Sequence, residues 1–441
     1  MRPPLLSSLL AELQASGRLT ELLVRPIGPV QEGGWYRHWD TLRHLAPPED
    51  LTHREWWALV KLARRSMKRE ITLEDRAGRS FSYTLPDPML GCLHHIDCNA
   101  SGQISLPEEA VSPEQRDRYV FRSLIEEAVT SSQLEGATTT RRVAKEMLRT
   151  GRDPTSKDER MILNNFEAMR WVRDHRDEPL TPAFVGKLHG VVTEGTLPAA
   201  DVGTLRTPKK GTAPLGVYDG NQLVHRPPDA AELPERLEKL CAFANETPTG
   251  VFLHPALKAI ILHFWLAYDH PFEDGNGRTA RALFYWFMLR EGFWLFEYVS
   301  ISTILKKGPA RYARSFLYTE TDDNDLTYFL LFQLDVVERA LDALRSYLQK
   351  KTQEMKEMRA LLRPSANLNH RQIALLGHAL RHPGQRYTFA PHRRSHDVAY
   401  QTARTDLLGL SEKELLRKGR DGRTYVFTPA PDLAERIQQL S

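Results

Sequence analysis

One run of the chain gathers the groups that could do chemistry: His270-Pro271-Phe272-Glu273-Asp274-Gly275-Asn276-Gly277-Arg278-Thr279-Ala280-Arg281. An imidazole has an ordinary pKa of about 6.5 and is suited to taking a proton from an incoming hydroxyl, so His270 is the candidate general base. Gly275 and Gly277 let main-chain N–H groups come close to an anion, at the point where the next helix must begin and its free amides and dipole favour phosphate. Arg278 and Arg281 are three apart and share a helix face, so together they can clamp outer phosphates with charge-assisted bonds. Asp274 suits magnesium, which takes one or two carboxylates alongside phosphate oxygens and water. Phe272 reads as a core plug and Pro271 as a stiffener of the turn. A plain helix–loop–helix with a glycine turn would account for any one of these residues, but it leaves their density unexplained.

The loop is held by two strongly apolar segments, 254–269 before it and 278–290 after it, both with helical spacing. Upstream, a helical pattern beginning at Pro113 closes at Glu135-Gly136, a glycine stop. A carboxylate at that end faces the negative pole of the helix dipole, so a cationic partner for Glu135 is expected. Further helices are expected at 158–175 and 182–193, another from near Ala230, and a long charged one over about 326–362. Between them, Gly203 to Pro228 is rich in Gly, Pro and Thr, and Gln222-Leu-Val-His225 reads as a short strand. Residues 69–85 alternate enough for a hairpin around Ala77-Gly78.

At 441 residues the chain is long enough for several units. Hydrophobic content of 41% and charged content of 26% describe folded globular material rather than a disordered or fibrous chain. Three scattered cysteines, Cys92, Cys98 and Cys241, do not make a disulfide framework and suit a reducing compartment. The start has no signal-peptide pattern, and the longest apolar run, 259–268, falls short of the roughly 20 residues of a membrane helix, so a cytoplasmic protein is expected. The Cys92-Leu-His94-His95-Ile-Asp97-Cys98 run holds zinc-ligand types but lacks a second ligand pair at the usual spacing. Charge is uneven: residues 361–441 hold 13 Lys/Arg against 7 Asp/Glu, in a chain whose net charge is only +4.

The loop resembles the Fic family motif, His-x-Phe-x-(Asp/Glu)-Gly-Asn-Gly-Arg-x-x-Arg, at every defined position, and the likeness extends over roughly residues 115–335. It includes Gly203-Thr-Leu-Arg206 and a Val224-His225-Arg-Pro-Pro228 stretch similar to the flap that aligns a target segment by strand pairing. The resemblance implies a mainly α fold with a Fic-type helical core and a short β-hairpin flap; an N-terminal helical region and, by a separate resemblance of the last residues, a C-terminal winged helix-turn-helix complete the expected architecture. It also implies a protein adenylyltransferase, in which His270 deprotonates a Ser, Thr or Tyr hydroxyl of a target protein, or of the chain itself, and the oxygen attacks the α-phosphorus of Mg-ATP. Asp274 would hold Mg2+, Asn276 and the amides of Gly275 and Gly277 would stabilise the α-phosphate, and Arg278 and Arg281 would hold the outer phosphates. Tyr312 resembles the position that lines the nucleobase, although an aromatic residue on a helix is commonly core. A related class that moves a phosphate has Lys where this chain has Gly277, which favours AMP transfer. Ser131-Ser-Gln-Leu-Glu135-Gly136 resembles the family's inhibitory motif, so Glu135 would pair with Arg281 and keep the enzyme off. In some relatives the same glutamate orients a water that removes AMP, which keeps a deAMPylase reading open.

Five regions are expected: 1–112, of unreadable role; 113–179, with the inhibitory motif; a catalytic core at 180–335; a connecting helix at 336–364; and 365–441. The last resembles a winged helix-turn-helix, with helices at 369–381 and 397–410 and a hairpin around Gly419–Gly422. Its Arg393, Arg394, Arg404, Arg417, Lys418, Arg420 and Arg423 could face DNA phosphates. A solvated basic face on a small domain for homodimer formation or target docking explains the same residues, and a DNA-binding regulator whose core senses nucleotide stands as the competing function.

Overall fold

A computed structural model of the chain describes every residue except 1, 49, 102–112, 208–215, 220–221, 247–251, 362–367, 423 and 440–441. Helices dominate, and the strands described form three separate two-stranded antiparallel sheets, the mainly α class expected.

The N-terminal helices α1 (Leu6–Ala15), α2 (Leu19–Leu23), α3 (Trp39–Leu42) and α4 (His53–Arg65) close a small core of their own around Leu9, Leu13, Leu22, Trp39 and Trp57. A capping box starts α4: the Thr52 hydroxyl accepts from the Glu55 amide, and Glu55 accepts from the Thr52 amide. Strands β1 (Arg69–Glu74) and β2 (Ser80–Tyr83) pair across the Ala77-Gly78 turn, and α5 (Asp87–Ile96) follows. Leu73, Phe81, Tyr83, Met89, Leu93 and Ile96 belong to the main core, not to the small one.

That main core is built from α6 (Pro113–Leu134), α7 (Arg141–Thr150), α8 (Lys157–Asp174), α9 (Pro182–Thr193), α10 (Leu233–Asn245), α11 (Pro255–Asp269), α12 (Asn276–Arg290), α13 (Ile301–Leu305), α14 (Pro309–Thr321) and the first half of α15 (Thr327–Leu361). Helices α11 and α12 are buried on almost every side, as helices with apolar residues all round must be. The hairpin β3 (Val217–Asp219) and β4 (Gln222–His225) stands between α9 and α10 in the sequence. Most element ends fall within one or two residues of the spacing-based expectation, the ordinary uncertainty of a helix terminus.

The C-terminal region holds α16 (His370–Arg381), α17 (Phe389–His396), α18 (Tyr400–Glu412), the hairpin β5 (Leu416–Asp421) and β6 (Thr424–Pro429), and α19 (Leu433–Gln439), with a core that includes Leu376, Phe389, Leu407, Leu410 and Phe427. The expected helix at 397–410 starts instead at Tyr400. Asp397 has a left-handed φ of 46° and closes α17, a helix hidden in the sequence by its polar make-up. Asp406 ties three helices together, accepting from Asn369 at 2.7 Å, Arg371 at 2.6 Å and His392 at 3.0 Å; these donors hold its carboxyl well below the usual range against the opposing effect of burial. Helix α17 packs on α6 and α7. There Arg394 donates to the Arg149 carbonyl at the end of α7 (3.3 Å), and its guanidinium fills the space that a Cβ on Gly151 would need. Arg423, one of the expected phosphate contacts, lies outside the described residues.

Candidate active site

The loop 270–275 is pinned between two left-handed residues: His270, φ 46°, closes α11, and Gly275, φ 83°, opens α12. Gly275 is required twice over, because a Cβ there would also lie 2.6 Å from Thr193 Cγ2. Inside the loop, Asn276 clasps the main chain of Phe272 from both sides: its Oδ1 accepts from the Phe272 amide (2.9 Å) and its Nδ2 donates to the Phe272 carbonyl (2.8 Å). Its side chain therefore holds the loop, with one Nδ2 hydrogen left for anything else. Phe272 is fully buried and stacks on His189 at 3.7 Å between ring centroids.

His189 and Arg206 position the loop from outside it. The His189 Nδ1 accepts from the Gly203 amide (3.0 Å), which leaves Nε2–H to donate to the Asp274 carbonyl (2.9 Å). Burial lowers its pKa, consistent with that neutral tautomer. Arg206 donates through Nε to the His270 carbonyl (2.8 Å) and through Nη2 to the Pro228 carbonyl (2.5 Å), while its own amide donates to the Pro271 carbonyl (2.9 Å). Spacing did not single out His189; its one signal is a histidine set within the apolar face of α9.

His270 itself is half-buried, and its pKa is brought down to about 4, mainly by burial, then by the neighbouring His225, against an opposing pull from Glu135. It is thus neutral and able to accept a proton at neutral pH. His225 is held at the base of the β4 strand, with Nε2 donating to the Tyr268 carbonyl (2.7 Å) and Nδ1 against Glu320 Oε2 (2.9 Å). The side chain of Val224 lies outside the described residues, although its main chain is part of β4.

The candidate anion-binding face is set by the first turn of α12. Arg278 is fully buried; its Nη1 donates to the Val192 carbonyl (3.0 Å), whereas Nε and Nη2 have no hydrogen-bond partner among the described residues. A buried cation with two unanswered donors is costly, and burial accordingly lowers its pKa. Asp274 sits beside it, 4.0 Å from Arg278 Nη2, with its side chain 47% exposed; its Oδ1 takes the Gly275 amide at 2.6 Å. Its other oxygen makes no hydrogen bond among the described residues, and a half-exposed carboxylate of this kind fits one ligand of a magnesium shell.

Arg281 is already answered. Its Nε donates to Ser131 Oγ (2.8 Å), and its Nη2 donates to the Ser131 carbonyl (3.0 Å) and to Glu135 Oε1 (2.9 Å). The cation that Glu135 needs at the end of α6 is therefore Arg281. The Glu135 carboxylate also overhangs Gly277, in the space a side chain there would occupy. Tyr312 lies behind this pair: its hydroxyl meets His263 Nε2 at 2.8 Å and its ring packs near Phe316, Phe329 and Phe332. Burial raises the Tyr312 hydroxyl to about 12 and lowers His263 to about 3, so both stay neutral.

Residues 179–288 match the Fic/DOC family. The chain carries a Fic domain. Over 126 residues it is 32% identical to Protein adenylyltransferase Fic of Drosophila melanogaster, a stretch covering 29% of this chain and 23% of that protein. Over 122 residues it is 32% identical to the protein of the same name from Nematostella vectensis, covering 27% and 26%. The matched stretch is thus about a quarter of these relatives' length. A crystal structure of a Fic family protein from Desulfovibrio desulfuricans G20 superposes with a TM-score of 0.53 at 19% identity, covering 79% of this chain and 98% of that one, and shows a shared fold. The Fic domain match takes in the whole loop, His270 to Arg281, together with His189, Arg206 and His225. Glu135 and Ser131 lie before it, and Tyr312 after it.

Among the described residues no group of three or more His, Cys, Asp or Glu side chains could hold a metal ion, the Cys92–Cys98 run included, and no helix is long and apolar enough to cross a membrane.

Proposed function

We propose that the chain is a protein adenylyltransferase that moves AMP from ATP to a Ser, Thr or Tyr hydroxyl of a target protein and is restrained by Glu135. The observation that carries this is the buried Arg278 guanidinium with two unanswered donors, at a glycine-bounded helix start beside a neutral, half-buried histidine. An anion of the triphosphate kind would satisfy those donors together with the free amides of α12. His270 accepts the hydroxyl proton, the oxygen forms a bond to the α-phosphorus, and the bond to the pyrophosphate oxygen breaks, with pyrophosphate leaving. Preorganised donors that need no rearrangement as charge develops are the main aid to such a transfer. Asp274 would hold Mg2+, which supplies charge neutralisation at the phosphates.

The Arg281–Glu135 pair supports the restraint: the arginine that would hold an outer phosphate is spent on a carboxylate that also covers Gly277. That same placement supports a hydrolytic second reading, in which Glu135 orients a water to remove AMP. The test is label transfer from α-phosphate-labelled ATP with magnesium, to lysate and to the protein alone. Glu135→Gly should raise incorporation at least tenfold, since freeing one charge-assisted contact is worth about 1.5–3 kcal/mol, and adding His270→Ala should abolish it. No labelling by any of the three proteins overturns the transferase reading. Release of AMP from a pre-labelled target by the wild type, lost in Glu135→Gly, would favour the hydrolase.

For the C-terminal region we propose nucleic-acid contact through the exposed Arg393, Arg404, Arg417, Lys418 and Arg420. A steep loss of duplex affinity with added salt is the expected signature; salt-insensitive or absent binding assigns this face to protein contacts instead.

A further inference from the structure

Next to the flap hairpin is a depression of about 360 Å3 whose walls include Arg76, Arg79, Arg226, His225, Tyr268 and Glu320. Two of these residues also border the base: Tyr268 precedes His270 by two positions, and its carbonyl takes the His225 ring. The charges in the walls are unequally satisfied. Asp75, which also lines the depression, is consumed by Arg79 Nη2 (2.7 Å), the Ala77 and Arg79 amides, and Asn324 Nδ2 (3.0 Å). Glu320 is taken by His225. Arg226, by contrast, is exposed and makes no ion pair among the described residues, and Arg76 has only a 3.6 Å approach to Asp229, itself 71% exposed. An arriving side chain would therefore meet carboxylates already engaged in hydrogen bonds and guanidinium groups still able to bond.

Strand β4 ends at His225, one residue before Arg226, and its sheet has only two strands, so β4 keeps one edge unpaired among the described residues. An extended segment that added to this edge would run past Arg226 and the depression. His225 and Tyr268 border both the depression and His270, so a side chain entering the depression belongs to a residue close in sequence to the one presented to His270, each residue of an extended segment advancing about 3.3 Å.

We propose that this depression is a subsite for a carboxylate side chain of the target segment, so that the hydroxyls modified are those with an Asp or Glu within about four residues. The proposal rests on the reading that His270 acts on a protein hydroxyl. Arg76 and Arg226 set specificity through the charge-assisted, fork-like bonds that guanidinium makes with carboxylate.

The experiment uses full-length Glu135→Gly protein and synthetic peptides with a single central Ser, flanked two to four residues away by Glu, Gln or Lys. Peptide binding is read by fluorescence anisotropy without ATP, and AMP transfer by label. Glu peptides should bind about tenfold tighter than Gln peptides, one charge-assisted contact's worth, and the difference should shrink as salt is raised. The double variant Arg76→Glu, Arg226→Glu, checked for an unchanged melting temperature, should lose that preference and favour Lys peptides. Equal binding of Glu and Gln peptides, or a Glu preference that survives the charge reversal, overturns the subsite. If peptides discriminate in binding while no label is transferred to any of them or to the protein, the subsite stands and the transferase reading fails. A phosphoserine peptide that outcompetes the Glu peptide would reassign the subsite to phosphate.

Discussion

At the scale of single residues, the site works by withholding partners from some groups and committing others. In the proposed reaction His270 is the base, and burial and His225 keep it neutral, with a pKa of about 4 in place of 6.5. The sign follows directly: protonation removes the base, so kcat/KM of the Glu135→Gly enzyme should be flat from neutral pH down to about 5 and fall as pH drops through about 4. A fall centred near 6.5 would mean the imidazole is solvated and not held as described. Arg278 waits with two free donors while Arg281 is occupied, so these two motif arginines, alike in sequence, are in different states. Motif spacing predicts the same role for both and carries no information on that difference, because the partners of Arg281 lie 146 to 150 positions away in the chain.

At the scale of elements, α11 and α12 act as a rigid fork and the loop between them as its hinge pin. The loop shape depends on Gly275, whose φ of 83° and closeness to Thr193 leave no room for a side chain. Gly275→Ala should cost roughly 1–3 kcal/mol from backbone strain, more with the steric overlap, and should reduce transfer at least as much as stability. Denaturant midpoints together with steady-state rates would check this; an unchanged midpoint would show that the turn tolerates a Cβ. The apolar runs and their ends were legible because periodicity and Gly stops are local signals. Helix α17 was not: with Pro391, His392, Arg393 and Arg394 in eight residues it has no apolar stripe to see, and its helicity comes from packing on α6, α7 and α18.

At the scale of the whole molecule, the N-terminal helices are fastened to the core by buried charge. Lys61 of α4 donates to Asp322 (2.6 Å) and Asp323 (2.8 Å), Tyr36 donates to Asp325 (2.6 Å), and Arg64 donates to the Tyr328 hydroxyl (2.7 Å). Lys61→Met strands the buried Asp322 carboxylate and should destabilise the protein by about 3 kcal/mol, read as a lowered denaturant midpoint; a neutral effect would mean Arg64 and Tyr328 suffice for Asp322. What the sequence by itself determined is the helical class, the loop with its histidine, glycines and arginines, and the glutamate at the end of α6 in need of a cation, all properties of neighbours along the chain. Only the tertiary structure decided that the cation is Arg281, that Arg278 is left unanswered, that His189 and Arg206 hold the loop, and that the segment from Leu73 to Ala100 packs into the main core. Each of those is a contact between distant segments, set by which surfaces must be buried together, and no local pattern records it.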